Sequence, residues 1–341
     1  MPKKLLAHLA DRSEGDQKRA LVNHLHHSTE LRARRAATSA RRTPVSQPGQ
    51  KKLHRQIFDA QGQTFLPGKL LRGEEASSTA DQSANQAYDN IGIALRFFET
   101  VLGRNSVDGR GMRIDATVHY GFGFANALWT GEQMIVGDGD GHHVSNLAGS
   151  LGIIAHELSH GVSQHLIRGG LGVVQMAGQP PSLKGEAGAL NESFSDVCAS
   201  MVKQWHLGQS VDAADWLLGE DVLAPHAGRA IRSLKDPGNK HETWASDDQI
   251  RDFRRFKATD DPHKGSGVAN FAFYSAAVEL GGKSWETLGP VWFQGFDRLR
   301  SRATFLDAAH ATVEVAANVH GRNSRAHRAV KAAWQRVNVM N

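Results

Sequence analysis

The sequence predicts an α+β fold of two lobes, a strand-rich N-terminal lobe and a helical C-terminal lobe. In the N-terminal half, short apolar runs at 114–120 and 133–136 are bounded by glycine and aspartate, as is typical of β-strands. Beyond Gly208 the apolar residues have helical spacing, and glycines mark natural helix ends. The helices predicted there span 268–280, 305–319 and 324–337.

A further helix is predicted over 147–167, where Leu151, Ile154, Leu158 and Val162 recur with a period near 3.6. It follows the strands and precedes the helical half of the chain. We therefore expect it to run between the two lobes, along the floor of a cleft.

Composition narrows the class of protein. The chain has 341 residues, which favours two domains, and 40% of them are hydrophobic. No run of 18 apolar residues occurs, so no membrane span is predicted. The single cysteine, Cys198, excludes an internal disulfide, and we interpret it as a small buried side chain rather than a nucleophile.

The positive charge is concentrated at the N-terminus. Residues 1–55 contain 13 Lys and Arg against 4 Asp and Glu, which leaves 27 basic against 31 acidic residues in the remainder. Leu21, Leu25 and Leu31 indicate a short helix here that could cover the cleft, and a Pro-containing linker follows at 44–50. One interpretation of this segment is a nucleic-acid-binding arm.

Residues 156–160 read His-Glu-Leu-Ser-His. On a helix, His156 and His160 lie one turn apart on the same face, so both imidazoles can reach one Zn²⁺ at about 2.0–2.1 Å. Glu157 is turned by about 100° from His156, where its carboxylate can take a proton from a water molecule that the metal activates. The alternative is a helix with two ordinary surface histidines, since the chain has 18 of them.

A second helical stretch, at 188–196, reads Gly-Ala-Leu-Asn-Glu-Ser-Phe-Ser-Asp. Glu192 fits as the third zinc ligand, and three protein ligands leave one position open, as in catalytic zinc sites. Asp196 fits as the acceptor for the free ring N–H of one ligand histidine. Asn191 fits that role for the other, or uses only its backbone. The alternative for Glu192 and Asp196 is a solvated helix face.

Four more segments accompany these two, namely Thr-Val-His-Tyr at 117–120, the stretch 126–141, Ala-Ile-Arg-Ser-Leu-Lys-Asp-Pro at 230–237 and His-Lys-Gly-Ser-Gly-Val-Ala-Asn at 263–270. Together, from about residue 52 to residue 337, the sequence resembles the thermolysin-like zinc metallopeptidases, and more closely their protealysin-like branch. The resemblance implies the thermolysin-like fold. The site of two histidines and one glutamate is the one known for thermolysin itself.

The resemblance also implies substrate-binding residues. Asn126 and Ala127 would lie on an edge strand that pairs with the substrate backbone. Arg232 would bind a substrate carbonyl through its guanidinium donors. A surface charge or an ion pair is the alternative for Arg232.

His263 matches the histidine that stabilises the oxyanion during peptide hydrolysis. Its partner carboxylate is either Asp260 or Asp261, and the sequence does not distinguish them. A histidine in a turn after Pro262 is the alternative.

Three features depart from the family pattern. Leu183 stands where relatives place a tyrosine that shares the oxyanion with the histidine. The stretch 168–182 is longer than usual and rich in Gly and Pro, which indicates an inserted loop. Lys203 lies among the positions that form the paired calcium site in relatives, so we predict that the double calcium site is absent.

The resemblance favours a cleavable propeptide over a nucleic-acid arm for the basic segment, with cleavage between residues 42 and 52. We expect 1–50 to be this segment, acting as an intramolecular inhibitor, 51–165 the lobe with the first zinc motif, and 166–341 the helical lobe. The first 20 residues do not read as a secretory signal, so we expect a cytoplasmic location or leaderless export, with export favoured.

The function predicted from the sequence is that of a zinc endopeptidase with peptide or protein substrates and Glu157 as general base. The alternative is a zinc-bearing binding protein on the same scaffold with weak or no activity. Leu183 and the short loop before His263 keep that alternative open, whereas Glu157 argues against it.

Overall fold

The computed structural model describes residues 1–40, 53–174 and 182–341. Its helices and strands, in chain order, are α1 (Lys3–Asp11), α2 (Gly15–Ala40), β1 (Arg55–Asp59), β2 (Lys69–Gly73), α3 (Gln82–Leu102), β3 (Ile114–Val118), β4 (Ala127–Trp129), β5 (Met134–Val136), α4 (Leu151–Leu166), β6 (Val173–Val174), β7 (Ser182–Leu183), α5 (Gly185–Leu207), β8 (Leu217–Leu218), β9 (Arg232–Ser233), a 3₁₀ turn (Phe253–Arg255), α6 (Pro262–Gly265), α7 (Gly267–Leu280), α8 (Leu288–Asp297), α9 (Phe305–His320) and α10 (Arg325–Arg336).

Five strands form one mixed sheet in the order β2-β1-β3-β5-β4. The strands β1, β3 and β5 run parallel, whereas β2 and β4 are antiparallel to their neighbours. The predicted strands at 114–120 and 133–136 are confirmed as β3 and β5, each slightly shorter than expected. As the resemblance implied, β4 lies at an edge of the sheet, directly after Asn126.

The helix α4 is buried on nearly all sides, from Gly152 to Gln164. It begins at Ser150, whose hydroxyl accepts a hydrogen bond of 3.3 Å from the amide of Ile153. At Gly161 its backbone meets the Trp129 ring of β4, because a Cβ atom there would lie only 3.1 Å from that ring. On its other side α4 packs along α5, so side chains of these two helices meet in the interior.

The C-terminal part is helical, as predicted. The helices α7, α9 and α10 begin and end within one residue of the predicted spans. Their core includes Trp292 and Trp334, whose parallel rings stack with centroids 5.2 Å apart. The molecule is therefore the expected α+β fold, with the sheet in the N-terminal lobe, the helices in the C-terminal lobe, and α4 between them. Among the described helices, none is long and apolar enough to cross a bilayer.

The N-terminal segment packs against the rest of the molecule through two helices. Leu5, Leu6, Leu9 and Leu21 are fully buried. The helix α2 has 26 residues and contacts β4, β6 and β7. The sequence indicated only a short helix here, because the many polar and charged residues of α2 make the helical spacing of its apolar residues hard to recognise. The linker at 44–50, the expected cleavage region and residues 175–181 of the inserted loop lie outside the described residues.

Candidate active site

Three side chains from α4 and α5 converge in the interior. Nε2 of His156 and Nε2 of His160 are 3.1 Å apart. Oε2 of Glu192 lies 3.4 Å from the first nitrogen and 3.5 Å from the second. All three residues are buried. The structure thus brings together the three predicted zinc ligands.

The geometry of these three groups fits a zinc ion. Ligand atoms about 2.0–2.1 Å from a tetrahedral Zn²⁺ are separated by roughly 3.3 Å, close to the distances between these atoms. Oε2 of Glu192 is buried and has no hydrogen-bond partner among residues 1–40, 53–174 and 182–341, which is costly for a carboxylate oxygen unless a cation satisfies it. Burial, followed by the charge of Arg35, lowers the pKa of His160 to about 4, so this imidazole is neutral at pH 7.

A second layer of side chains orients the two histidines. Oδ1 of Asp196 lies 2.9 Å from Nδ1 of His156. Oδ1 of Asn191 lies 2.7 Å from Nδ1 of His160, so Asn191 uses its side chain. Ser195 is a partner that the sequence analysis missed, with its hydroxyl 3.0 Å from the same His160 nitrogen. Such partners fix the tautomer and orientation of metal-binding imidazoles.

Glu157 lies beside the three ligands, next to the edge strand. Its Oε2 accepts a hydrogen bond of 2.9 Å from the backbone amide of Trp129 in β4. Burial raises the pKa of Glu157, but the adjacent His160 and His156 outweigh it and lower the pKa below its ordinary value. The carboxyl group is therefore ionised, as a proton acceptor must be. A backbone donor leaves no signature in a sequence, so the Trp129 contact was not foreseen.

His263 faces the same centre from α6. Its Nε2 lies 3.4 Å from Oε2 of Glu192, and its Nδ1 lies 2.8 Å from Oδ1 of Asp261. Burial lowers the pKa of His263, and the charges of Glu192 and Asp261 oppose that shift. Asp260, the other carboxylate that the sequence left open, has different partners. Its side chain binds Lys264 at 2.7 Å and the amide of Lys257, because it precedes the turn that Asp261 caps.

The predicted substrate-binding residues lie on or next to the two strands β4 and β9. Ala127 begins the edge strand β4, paired with Val136 of β5. Arg232, in β9, binds Asp196 through its guanidinium and lines a cavity with Pro2 and Lys4 of the N-terminal segment.

The N-terminal segment also contacts two other predicted site residues, Asn126 and Glu192. Nδ2 of Asn126 donates to the hydroxyl of Ser28 at 2.9 Å, and Oδ1 of Asn126 lies 2.7 Å from the Met1 nitrogen. The guanidinium of Arg35, which is buried, lies 3.5 Å from Oε1 of Glu192. Neither contact was foreseen, since residues this distant in sequence share no local pattern.

The structure shows the neighbours of two residues that depart from the family pattern, Leu183 and Lys203. Leu183, in β7, lines a small cavity that also includes Arg35 and His160. The ammonium of Lys203 donates to the carbonyl of Leu217 at 2.9 Å and pairs with Glu220. A cation of the protein thus stands among the oxygens near the expected calcium position, and the absence of calcium there stays a prediction.

Comparison with known proteins gives this geometry a family. Residues 16–164 match the family model of the thermolysin metallopeptidase catalytic domain, and residues 182–339 match that of the thermolysin metallopeptidase alpha-helical domain. The chain belongs to the thermolysin metallopeptidase family. Members are zinc-dependent peptidases, so this thermolysin-family chain is a metalloprotease, and its candidate zinc ligands are His156, His160 and Glu192.

Similar proteins within the family carry protease names. An "Extracellular metalloprotease" of Pectobacterium carotovorum is 38% identical over 84% of this chain and 81% of its own length. "Protease PrtS" of Photorhabdus is 36% identical over 84% of this chain and 76% of its own length. The solved structure of the precursor of protealysin from Serratia proteamaculans aligns with a TM-score of 0.84 and 33% identity, over 100% of this chain and 99% of that one. The predicted protealysin-like resemblance is confirmed.

Proposed function

We propose that the chain is a zinc endopeptidase whose single catalytic ion is held by His156, His160 and Glu192. The observation that carries this proposal is the buried Glu192 oxygen. Within the described part of the chain it has no hydrogen-bond partner, and it lies 3.4–3.5 Å from the Nε2 atoms of His156 and His160. When bound there, Zn²⁺ supplies Lewis-acid chemistry, polarising a carbonyl group and making a water molecule more acidic.

Glu157 acts as the general base. The Trp129 amide occupies its Oε2, which leaves Oε1 to take a proton from the attacking water and deliver it to the leaving amine. Because Trp129 belongs to the edge strand, the same hydrogen bond fixes the base relative to the strand on which substrate would lie.

His263 supports the oxyanion through Nε2. Since Asp261 accepts from Nδ1, a donor at Nε2 requires the protonated ring. The charges of Asp261 and of the developing oxyanion both favour that form. Substrate backbone pairs with β4 at Ala127, while Asn126 and Arg232 bind its polar groups.

The segment 1–50 acts as an intramolecular inhibitor, and 51–165 and 166–341 are the two lobes of the protease. Ser28 occupies the amide of Asn126, and Arg35 sits against Glu192, so peptide and segment compete for the same groups. Arg35 is 4% exposed, so its guanidinium is not available to a phosphate, which argues against its use in nucleic-acid binding. The extracellular relative favours export of this chain as well.

A quenched-peptide assay tests the proposal on the full chain, on a chain lacking residues 1–50, and on the Glu157→Gln variant of each. We expect the shortened chain to cleave the peptide, and both chelator and Glu157→Gln to abolish cleavage. Stoichiometric zinc without activity in any sample would instead support the zinc-bearing binding protein.

A peptide of residues 1–40 tests the inhibitor when it is added to the active shortened chain. We expect it to inhibit, and we expect a peptide with both Ser28→Ala and Arg35→Ala to inhibit less. The matched control is a peptide with Arg19→Ala, since Arg19 is exposed and pairs with Asp16 of its own helix. Equal inhibition by all three peptides would reject the two contacts as the cause.

A further inference from the structure

A second group of histidines lies outside the candidate active site. It consists of His142 and His143, in the loop after β5, and His226, in the loop between β8 and β9. One ring nitrogen from each lies within 4.8 Å of the other two. Nδ1 of His143 is 3.0 Å from Nε2 of His226, close to the 3.1 Å between the two histidines of the active site.

Hydrogen bonds hold the two loops that carry these three histidines. Oδ1 of Asp140 accepts hydrogen bonds from the amides of His142, at 3.1 Å, and His143, at 2.8 Å. The loop that carries His226 is tied to this turn, because the amide of Ala224 donates to the carbonyl of His143 at 2.9 Å. The cluster is therefore built from two connected loops rather than from unrelated surface side chains.

A hydrogen bond from the N-terminal segment sets the tautomer of His143. The Ser13 hydroxyl donates its only hydrogen to the carbonyl of Leu9 at 2.9 Å. While that hydrogen is donated to Leu9, the hydroxyl accepts a hydrogen bond from Nε2 of His143, also at 2.9 Å. Nε2 then carries the ring proton, and Nδ1 presents a lone pair towards His226. An imidazole that donates through one nitrogen and offers the other is the arrangement of a metal ligand.

We propose that His142, His143 and His226 bind a second divalent transition-metal ion of the zinc class. Neutral imidazole suits Zn²⁺, Cu²⁺ and Ni²⁺, and three such ligands leave a fourth position for water. His142 and His226 are exposed, so the ion has access and both rings can turn towards it. The carboxylate of Asp140 adds a negative charge beside the cluster.

The site links metal binding to the N-terminal segment. Ser13 lies between α1 and α2 and contacts His143 only while that segment is docked. An ion bound by His143 therefore favours the docked segment, and the docked segment favours the ion, since a coupling between two binding events is reciprocal. This consequence rests on the proposed inhibitory role of the segment, whereas the metal site itself does not.

Zinc stoichiometry tests the site on the full chain carrying Glu157→Gln, which retains all the proposed ligands and does not cleave itself. After removal of metal and dialysis against micromolar Zn²⁺, we expect two zinc ions per chain by mass spectrometry of the metal. His142→Ala and His226→Ala should each retain one. His320→Ala, which changes an exposed histidine at the end of α9, should retain two. Circular dichroism in chelator checks that each variant is folded.

Two results would overturn the second site. One is a single ion in the parent protein that His160→Ala removes and His226→Ala does not. The other is two ions in both His142→Ala and His226→Ala. A single ion that His226→Ala removes and His160→Ala does not would instead support the second site and reject the proposed catalytic one. Ser13→Ala should weaken zinc binding at the second site about 10- to 100-fold, and unchanged affinity would reject the role of Ser13.

Discussion

Arg232 donates two hydrogen bonds to a single oxygen of Asp196, from Nε at 3.0 Å and from Nη2 at 2.7 Å. The same oxygen faces Nδ1 of His156 at 2.9 Å. Burial raises the pKa of Asp196, but the charge of Arg232 outweighs it and lowers the pKa to about 2. Asp196 is thus a fixed anion beside a candidate metal ligand, and Arg232 connects that ligand to the cavity that it lines with Pro2 and Lys4.

Asp196→Asn should weaken zinc binding by about 10- to 100-fold, because the variant removes the charge that orients His156. Competition with a chromogenic chelator measures the affinity. The matched control is Asp221→Asn, which changes a carboxylate that accepts a hydrogen bond from the Ser150 hydroxyl at the start of the same helix, α4. Equal losses in the two variants would mean that only the stability of α4 is affected.

The pair formed by His263 and Asp261 gives a second prediction. Asp261→Asn should lower kcat/KM of the shortened chain about tenfold, less than the loss of a whole oxyanion donor. The reason is that the protonated form of His263 loses its adjacent anion. Asp260→Asn is the control, since this neighbouring carboxylate binds Lys264 instead. A greater loss in the Asp260 variant would contradict the assignment of Asp261.

The fold and the candidate zinc ligands could be predicted because both depend on short-range periodicity. A helix places residues four apart on one face, so His156 and His160 define a site without knowledge of the rest of the chain. Glu192 and Asp196 are likewise four residues apart and lie on one face of a second helix. The family blocks then indicate that these two helices pack together.

The partners of these residues could not be predicted, because they come from distant or featureless parts of the chain. The Trp129 amide that holds Glu157 has no side-chain signature. The choice of Asp261 over Asp260 depends on which of two adjacent carboxylates begins a single helical turn. The contact of Ser28 with Asn126 spans 98 residues, and no local pattern reports it.

The imidazole of His119 predicts a pH dependence of stability. It lies 2.8 Å from a carboxylate oxygen of Asp81 and 2.8 Å from one of Asp138, and so ties the end of β3 to the start of α3. Burial lowers its pKa, but the bond to Asp81 and the charge of Asp138 outweigh burial and raise it. This stabilisation is therefore fully present below about pH 6.5, the pKa of histidine in the unfolded chain. It is lost as the pH rises through the higher pKa that His119 has in the folded chain.

His119→Asn should consequently destabilise the chain most at acidic pH. Asparagine tolerates the left-handed backbone of this position, where φ is 53°, so the substitution removes the imidazole and its two carboxylate contacts without straining the backbone. We expect a loss of about 1 kcal/mol at pH 6 that shrinks above pH 8, given the partial exposure of all three side chains. Urea unfolding of both proteins across this range measures it. A loss that is the same at every pH would contradict the ionic role of His119.

The contacts of Lys203 predict that the stability of the chain does not depend on calcium. Its ammonium donates to the Leu217 carbonyl and pairs with Glu220, so the charge that calcium would bring is already supplied by the chain. Millimolar Ca²⁺ should leave the urea midpoint of the wild type unchanged, and Lys203→Met should cost about 2 kcal/mol because a half-buried carboxylate loses its partner. Lys283→Met, at an exposed pair with Glu286, should cost almost nothing. A midpoint that rises with Ca²⁺ would show that the paired site persists despite the lysine.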